Sequence, residues 1–250
     1  MNFNIDFSYK AYVYREKTGL KPIVDIDTPD IGSLLFMDDK KTKLINNLNN
    51  FISKKPYNHI LLTGAKGCGK SSLAKAVLGL FDDIVVIEIF KKDLPILPYI
   101  IDEIRKLDKF FVIFIDDLSF VGIDDGFVQL KNTLEGSLEL PPVNVMFVVT
   151  SNYKNLIRQT RLEADSLGRD LNYNDINEQE LSLRDRFGIT MHFYNYSLDD
   201  YYEFVKFYFK DIKIDEDKLL KKAFEFANLK ASRSPRTAKQ FYQDYAGHFI

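Results

Sequence analysis

The chain has 250 residues, with 34 Lys and Arg against 36 Asp and Glu, and a formal net charge of -2. This length buries a real core, as one large domain or as one domain with a small appendage. The near balance of charge excludes a global basic field for nucleic acid or for an anionic membrane.

The N-terminus, "MNFNIDFSYK", has no basic stretch leading into an apolar core, so no signal peptide is expected there. Residues 1–38 have turn signals at "DTPDIGS" and no clear period, and are read as an N-terminal extension. From Asp39 to Ser53, Leu44, Leu48 and Phe51 share one face, which predicts a helix. "HILLTG" is a short buried strand entering a Gly-rich turn, and residues 70–81 form a helix after it. "DIVVIEI" is a second strand, and Leu97–Lys106 suits a helix. "FFVIFIDD" is a third strand, apolar until two closing carboxylates. Phe127, Leu130 and Leu134 place a helix over Gly126–Gly136. "VNVMFVVTSN" is a fourth strand and "ITMHFYN" a fifth. Between them, Tyr153–Gln179 is polar and is read as a long loop carrying a short helix.

Strands alternating with helices, each strand apolar on both faces, mean a parallel five-stranded sheet flanked by helices, an α/β fold. After Ser197 the pattern becomes helical throughout, in "LDDYYEFVKFYF", "DEDKLLKKAFEFA" and "PRTAKQFYQDYA". The expected division is therefore an extension over 1–38, an α/β domain over 39–196 and a small all-helical domain over 197–250. No apolar run spans a bilayer; the longest is "FFVIFI". The single cysteine, Cys68, excludes an internal disulfide framework. A cytoplasmic protein without a membrane partner is expected.

"GAKGCGKSSLAKAV", Gly64–Val77, carries the chemistry. Its pattern is G-x-x-x-x-G-K-S, between a predicted strand and a predicted helix. Glycines let the backbone turn tightly, so that successive N–H groups point at phosphate oxygens. The helix behind adds its positive N-terminal end. Gly64, Ala65, Lys66, Gly67, Cys68, Gly69, Lys70, Ser71 and Ser72 are thus the expected phosphate cradle. Lys70 reaches the β- and γ-phosphates, and Ser71 ligates Mg²⁺. Cys68 is read as an ordinary loop residue, not a redox switch.

Ligands of open α/β sheets bind outside the carboxyl ends of the strands. Asp116, ending the third strand, is therefore the expected second Mg²⁺ ligand. Asp117 stands where a general base polarises the attacking water. Many hydrolysing relatives carry Glu there, and Asp is one methylene shorter. Glu135 is a weaker assistant than its reading as a solvated helix residue.

No N-K-x-D element for guanine is present, and no acceptor pocket for a small-molecule kinase is evident. Instead "VVTSN", "LSLRDRFG" and "SRSPRTAKQF" make the chain resemble the AAA+ ATPases. With "FIDDLSF" and "LKNTLEG", they resemble one bacterial AAA+ family catalogued as ATP-binding proteins of unknown function, over roughly residues 40–250. The resemblance implies that Asn152 is a polar sensor orienting water. Arg186 is a finger acting on a neighbouring subunit, with Arg184 as the rival two residues earlier. Arg236 is the lid sensor, with Arg233 the lesser lid candidate. It implies ATP and Mg²⁺ as cofactors and a nucleotide-dependent homo-oligomer such as a hexameric ring, remodelling an unidentified protein or nucleic-acid partner. The alternative is a slowly hydrolysing switch or loader. For that reading, Lys40, Lys41, Lys43, Lys54 and Lys55 form a candidate basic surface.

Overall fold

Strands that are apolar at every position need cover on both faces, and the computed structural model of the chain supplies it. The structure describes residues 7–121, 123–135, 140–152, 156–158 and 170–248. In chain order they form β1 (Ala11–Arg15), β2 (Gly19–Pro22), α1 (Asp38–Ile52), β3 (Ile60–Gly64), α2 (Lys70–Gly79), β4 (Ile84–Glu88), α3 (Leu97–Ile104), β5 (Phe110–Ile115) and β6 (Phe120–Val121). Then follow α4 (Asp125–Glu135), β7 (Val145–Ser151), β8 (Ile157–Arg158), α5 (Asp170–Asp185), β9 (Ile189–Phe193), α6 (Leu198–Phe209), α7 (Glu216–Leu229) and α8 (Pro235–Tyr245).

Successive side chains of a strand point to opposite faces. On one face of the sheet, Phe111, Ile113 and Ile115 of β5 meet Val145, Phe147 and Val149 of β7, under Ile100 and Ile104 of α3. On the other, Val112 and Phe114 join Met146 and Val148, under Leu44, Leu48 and Phe51 of α1 and Leu73 and Val77 of α2. A third core, built on Tyr201, Phe204, Leu219, Phe226 and Phe241, holds α6, α7 and α8 together. Each of these three helices starts on a side-chain cap, where an oxygen satisfies an otherwise orphaned N–H. Ser197 and Asp200 form a reciprocal capping box, Asp215 accepts from Lys218 N at 2.9 Å, and Ser234 Oγ accepts from Thr237 N at 3.2 Å.

The main sheet has seven strands in the order β2-β1-β4-β5-β7-β3-β9. All its pairs are parallel except β1–β2. The five strands read from the sequence are its β4, β5, β7, β3 and β9. The other two come from the segment read as a patternless extension. β1 pairs parallel to β4, Tyr12 opposite Ile87, and β2 folds back on β1 through a turn over residues 16–18 that ends on Gly19, at φ +70°. An edge hairpin needs only one strand with a buried run, and β1 supplies it with Ala11–Tyr14. The polar stretch after β7 also differs from expectation: where a short helix was expected, α5 runs for 16 residues. Residues 153–155 and 159–169 of that stretch lie outside the described residues, as do residues 1–6 and Gly136, the expected end of α4. No helix among the described residues is long and apolar enough to cross a membrane.

This order sets β3 between β7 and β9, with β5 beside β7. The carboxyl ends of β3, β5 and β7 therefore converge, bringing Gly64, Asp116 and Asn152 to one place from distant points in the sequence.

Candidate active site

The turn after β3 depends on residues without side chains. Gly64 has φ +125°, and a Cβ there would lie 2.0 Å from the Phe193 carbonyl oxygen. The loop is thereby pressed against the end of β9, and Ala65 N donates to that same oxygen at 2.9 Å.

Lys70 opens α2 and is buried, with 4% of its surface exposed. A buried ammonium needs acceptors, and this one has three. Its Nζ donates to Gly64 O at 2.9 Å, to Ala65 O at 2.7 Å and to Asn152 Oδ1 at 2.9 Å. Burial holds the Lys70 ammonium below its ordinary pKa; Cys68, Asp117 and Asp116 oppose that shift, and Arg236 adds to it. Asn152, just past β7, donates from Nδ2 to Asp117 Oδ1 at 2.6 Å. One amide thus links the cradle lysine to the second carboxylate after β5.

The first carboxylate is held differently. Asp116 Oδ1 accepts from Ser71 Oγ and from Thr150 Oγ1, both at 2.5 Å. Thr150 Oγ1 in turn accepts from Asp117 N at 2.9 Å. This pins the chain where Asp117 takes the left-handed φ of +53°, a conformation that costs a non-glycine residue about 1 kcal/mol or more. The strained turn aims Asp116 and Asp117 at different partners. A hydroxyl and a carboxylate oxygen side by side are a hard donor set suited to Mg²⁺, so Ser71 and Asp116 fit as its protein ligands.

These residues line a cleft of about 490 Å³, large enough for a nucleotide. Apart from Arg236, its remaining walls are not evident from any sequence motif. Leu34, Leu35 and Met37 come from the segment before α1, Phe204 and Tyr208 from α6, and Arg236 and Lys239 from α8. Phe36 packs edge-on against Phe204, 5.5 Å between ring centres, so this segment ties the sheet domain to the helical unit. The signal available in sequence was the apolar run Leu34–Met37 between turn residues. It has no helical or strand period, so pattern reading passes over it.

Of the residues expected at the site, the cradle, Asp116, Asp117, Asn152 and Arg236 come together around this cleft. Cys68 is buried behind the loop, and burial pushes its thiol pKa up, against Lys70. A raised pKa keeps a thiol protonated and unreactive. Arg233 does not line the cleft, and neither does Arg186. Glu135 is also away from it: its Oε1 lies 3.5 Å from Arg186 Nη2 and accepts from Ser182 Oγ at 3.1 Å. Arg184 has a buried Nε without a hydrogen-bond partner among the described residues.

Arg186 instead borders a cavity of about 420 Å³ at the amino ends of the strands, with Tyr57, His59 and Phe147. Burial pulls the His59 imidazole down to about 4, and its Nδ1 accepts from Phe147 N at 3.2 Å. The neutral ring is the native form. An unfolded His titrates near 6.5, so the unfolded chain binds the extra proton first. The stability from this group is complete above about pH 6.5 and is lost as pH falls toward about 4, by no more than about 3 kcal/mol. Urea unfolding of the wild type and His59→Gln between these limits should show a shallower pH slope in the variant; equal slopes would remove His59 as the cause.

The chain thus has an α/β fold: a mostly parallel sheet flanked by helices carries the phosphate-loop motif at the end of β3, one strand in from the edge strand β9, and a helical unit stands over that loop. The chain belongs to the family described as "Protein of unknown function (DUF815)", whose model matches residues 7–249. No curated protein matches the chain. Among solved structures, a substituted form of Thermotoga maritima RuvB is 16% identical, with 86% of this chain and 72% of that one covered at a TM-score of 0.49. The Thermotoga maritima RuvB Holliday junction branch migration motor is 14% identical, with 82% and 68% covered at a TM-score of 0.45.

Proposed function

We propose that the chain is an ATPase that binds and hydrolyses Mg-ATP at the interface between two copies of itself and uses the turnover to remodel a macromolecular partner. The observation that carries this reading is the hydrogen-bond chain Lys70–Asn152–Asp117 beside Ser71–Asp116–Thr150, at the carboxyl ends of three neighbouring strands. It sets a cation, two carboxylates and a polar amide around one phosphate loop. Loop N–H groups and Lys70 bind the β- and γ-phosphates, while Asp117 and Asn152 orient the attacking water and Asp117 takes its proton. Ser71 and Asp116 hold Mg²⁺, which when bound neutralises charge on the phosphates. Arg236, carried on α8, reaches the cleft only where the lid sits against the loop, so it makes lid position sensitive to the γ-phosphate.

Arg186 lies at the other end of β3 from the phosphate loop. Five strand residues span about 17 Å, longer than an arginine side chain. The γ-phosphate it serves therefore belongs to another copy. Steady-state hydrolysis measured against protein concentration, with oligomer mass followed in parallel, tests this. Specific activity should rise with concentration as mass grows. Turnover by a monomer at full rate would overturn the interface site.

A second reading, a slowly hydrolysing ATP-dependent switch or loader, is favoured by one observation. Asp117 is shorter than Glu, and its Oδ1 is already engaged by Asn152, so its reach to a water is small. The lysines considered for nucleic acid give this reading less support. Lys41 pairs with Asp38 at 2.8 Å, Lys54 lies 4.0 Å from Asp108, and Lys40 sits over the Phe193 ring.

A further inference from the structure

A second cleft, of about 720 Å³, adjoins the nucleotide cleft on the side of the α7–α8 turn. Its charge is one-sided. Lys66, Lys230, Arg233 and Arg236 line it with the amides of Asn195, Asn228 and Gln240, and no carboxylate does. None of the four cations has an ion pair among the described residues. Lys230 Nζ rests over the Phe226 ring at 5.3 Å from its centre.

The two clefts are separated by a contact. A Cβ on Gly67 would lie 2.9 Å from Ser234 Oγ, so the phosphate loop touches the start of α8 between them. Asn228, Lys230, Arg233 and Ser234 face only the second cleft, while Asp116, Asp117 and Asn152 face only the first. In a chain of net charge -2, four unpaired cations around one concavity repel one another and focus a positive field. A ligand with several negative charges relieves that repulsion. Guanidinium forks and side-chain amides match the tetrahedral oxygens of a phosphate.

We propose that this cleft binds a second phosphate-bearing ligand, distinct from the nucleotide in the phosphate loop. Such a ligand would bridge Lys66 of the loop to Lys230 and Arg233 of the helical unit. It would hold the lid against the sheet domain and so favour the closed arrangement that Arg236 senses, a coupling that must be reciprocal. The coupling rests on the ATPase reading; the site does not. The phosphate comes either from a small organic phosphate or from a nucleic-acid backbone.

The test uses Lys70→Ala protein, in which the first site is disabled, with and without Lys230→Glu and Arg233→Glu together. Inorganic pyrophosphate is titrated by calorimetry, and a labelled oligothymidylate of roughly twenty nucleotides by fluorescence anisotropy. At least one probe should bind Lys70→Ala protein, weaken with salt, and lose about tenfold or more in affinity on charge reversal. Binding of the oligonucleotide assigns the source to nucleic acid; binding of pyrophosphate alone assigns it to a small phosphate. Absence of both at about millimolar concentration, or binding indifferent to the reversals, overturns the proposal. Failure of ATP to bind wild-type protein, measured alongside, counts against the ATPase reading alone.

Discussion

Lys70→Ala is expected to weaken ATP binding at least about a hundredfold. The ammonium is the one cation buried inside the phosphate loop among the described residues, and it makes three hydrogen bonds within 3 Å. Charge-assisted hydrogen bonds are worth about 1.5–3 kcal/mol each. In the reading proposed above, Nζ turns two of these donors from protein oxygens to phosphate oxygens when ATP binds, and two such bonds are worth about 3–6 kcal/mol, or two to four decades in affinity. Fold stability should move less. Truncation removes an ammonium that burial already disfavours, and strands the Asn152 amide oxygen and two carbonyls, so the two effects oppose. Calorimetric titration with ATP, beside a thermal melt of each protein, separates the outcomes. Wild-type affinity in a folded Lys70→Ala protein would mean that the loop binds something other than a polyphosphate.

What was legible in the sequence was whatever sits on a strong period or a fixed spacing. The strands of the inner sheet are continuous apolar runs, and the phosphate loop is a spacing motif whose chemistry admits few substitutes. The helical unit was legible because Tyr201, Phe204, Val205 and Tyr208 keep one face; its caps at Ser197, Asp215 and Ser234 were seen only in the structure. The edge hairpin β1–β2 was not, because its second strand is four residues with one buried side chain. Helix α5 was hidden for a related reason. It is polar over most of its length, and helix formation there is decided by its last turns, where Leu183, with Phe187 just beyond, packs into the core. The cleft shows the limit of motif reading. Lys70, Ser71 and Asp116 could be proposed because phosphate and Mg²⁺ chemistry dictates their types, and Asn152 because of the family resemblance. Leu34, Leu35 and Met37 could not, because any apolar side chains of about that size serve as a wall. The link from Asn152 to both Lys70 and Asp117 also required the sheet order, since Asn152 follows β7, Lys70 opens the helix after β3 and Asp117 follows β5.

Arg186→Ala should leave ATP affinity within about twofold of wild type and cut turnover by a thousandfold or more, the range found for arginines that act on a transferring phosphoryl group. The asymmetry follows from position. Arg186 is 46% exposed, lies at the amino ends of the strands and borders no part of its own phosphate loop. Its loss therefore removes nothing from ground-state binding in the same chain. Glu135, with its Oε1 at 3.5 Å, steadies the side chain at modest energy, because exposed pairs contribute about 1 kcal/mol or less. Arg184 makes the opposite prediction. Its Nε is buried without a hydrogen-bond partner among the described residues, so Arg184→Ala relieves an unsatisfied donor while losing packing, and its effect should fall on the melting temperature rather than on turnover alone. The decisive measurement mixes two inactive proteins. A Lys70→Ala subunit is expected to hold ATP far more weakly but keeps Arg186; an Arg186→Ala subunit is expected to hold ATP but to offer no arginine to its neighbour. Placed in one oligomer, the first subunit completes the second subunit's site, and activity should return to a fraction set by the mixing ratio. An equimolar mixture that co-assembles by mass yet remains inactive would remove Arg186 from the neighbouring site. Loss of ATP affinity in Arg186→Ala alone would return the residue to its own subunit, against the 17 Å or so that β3 sets between them.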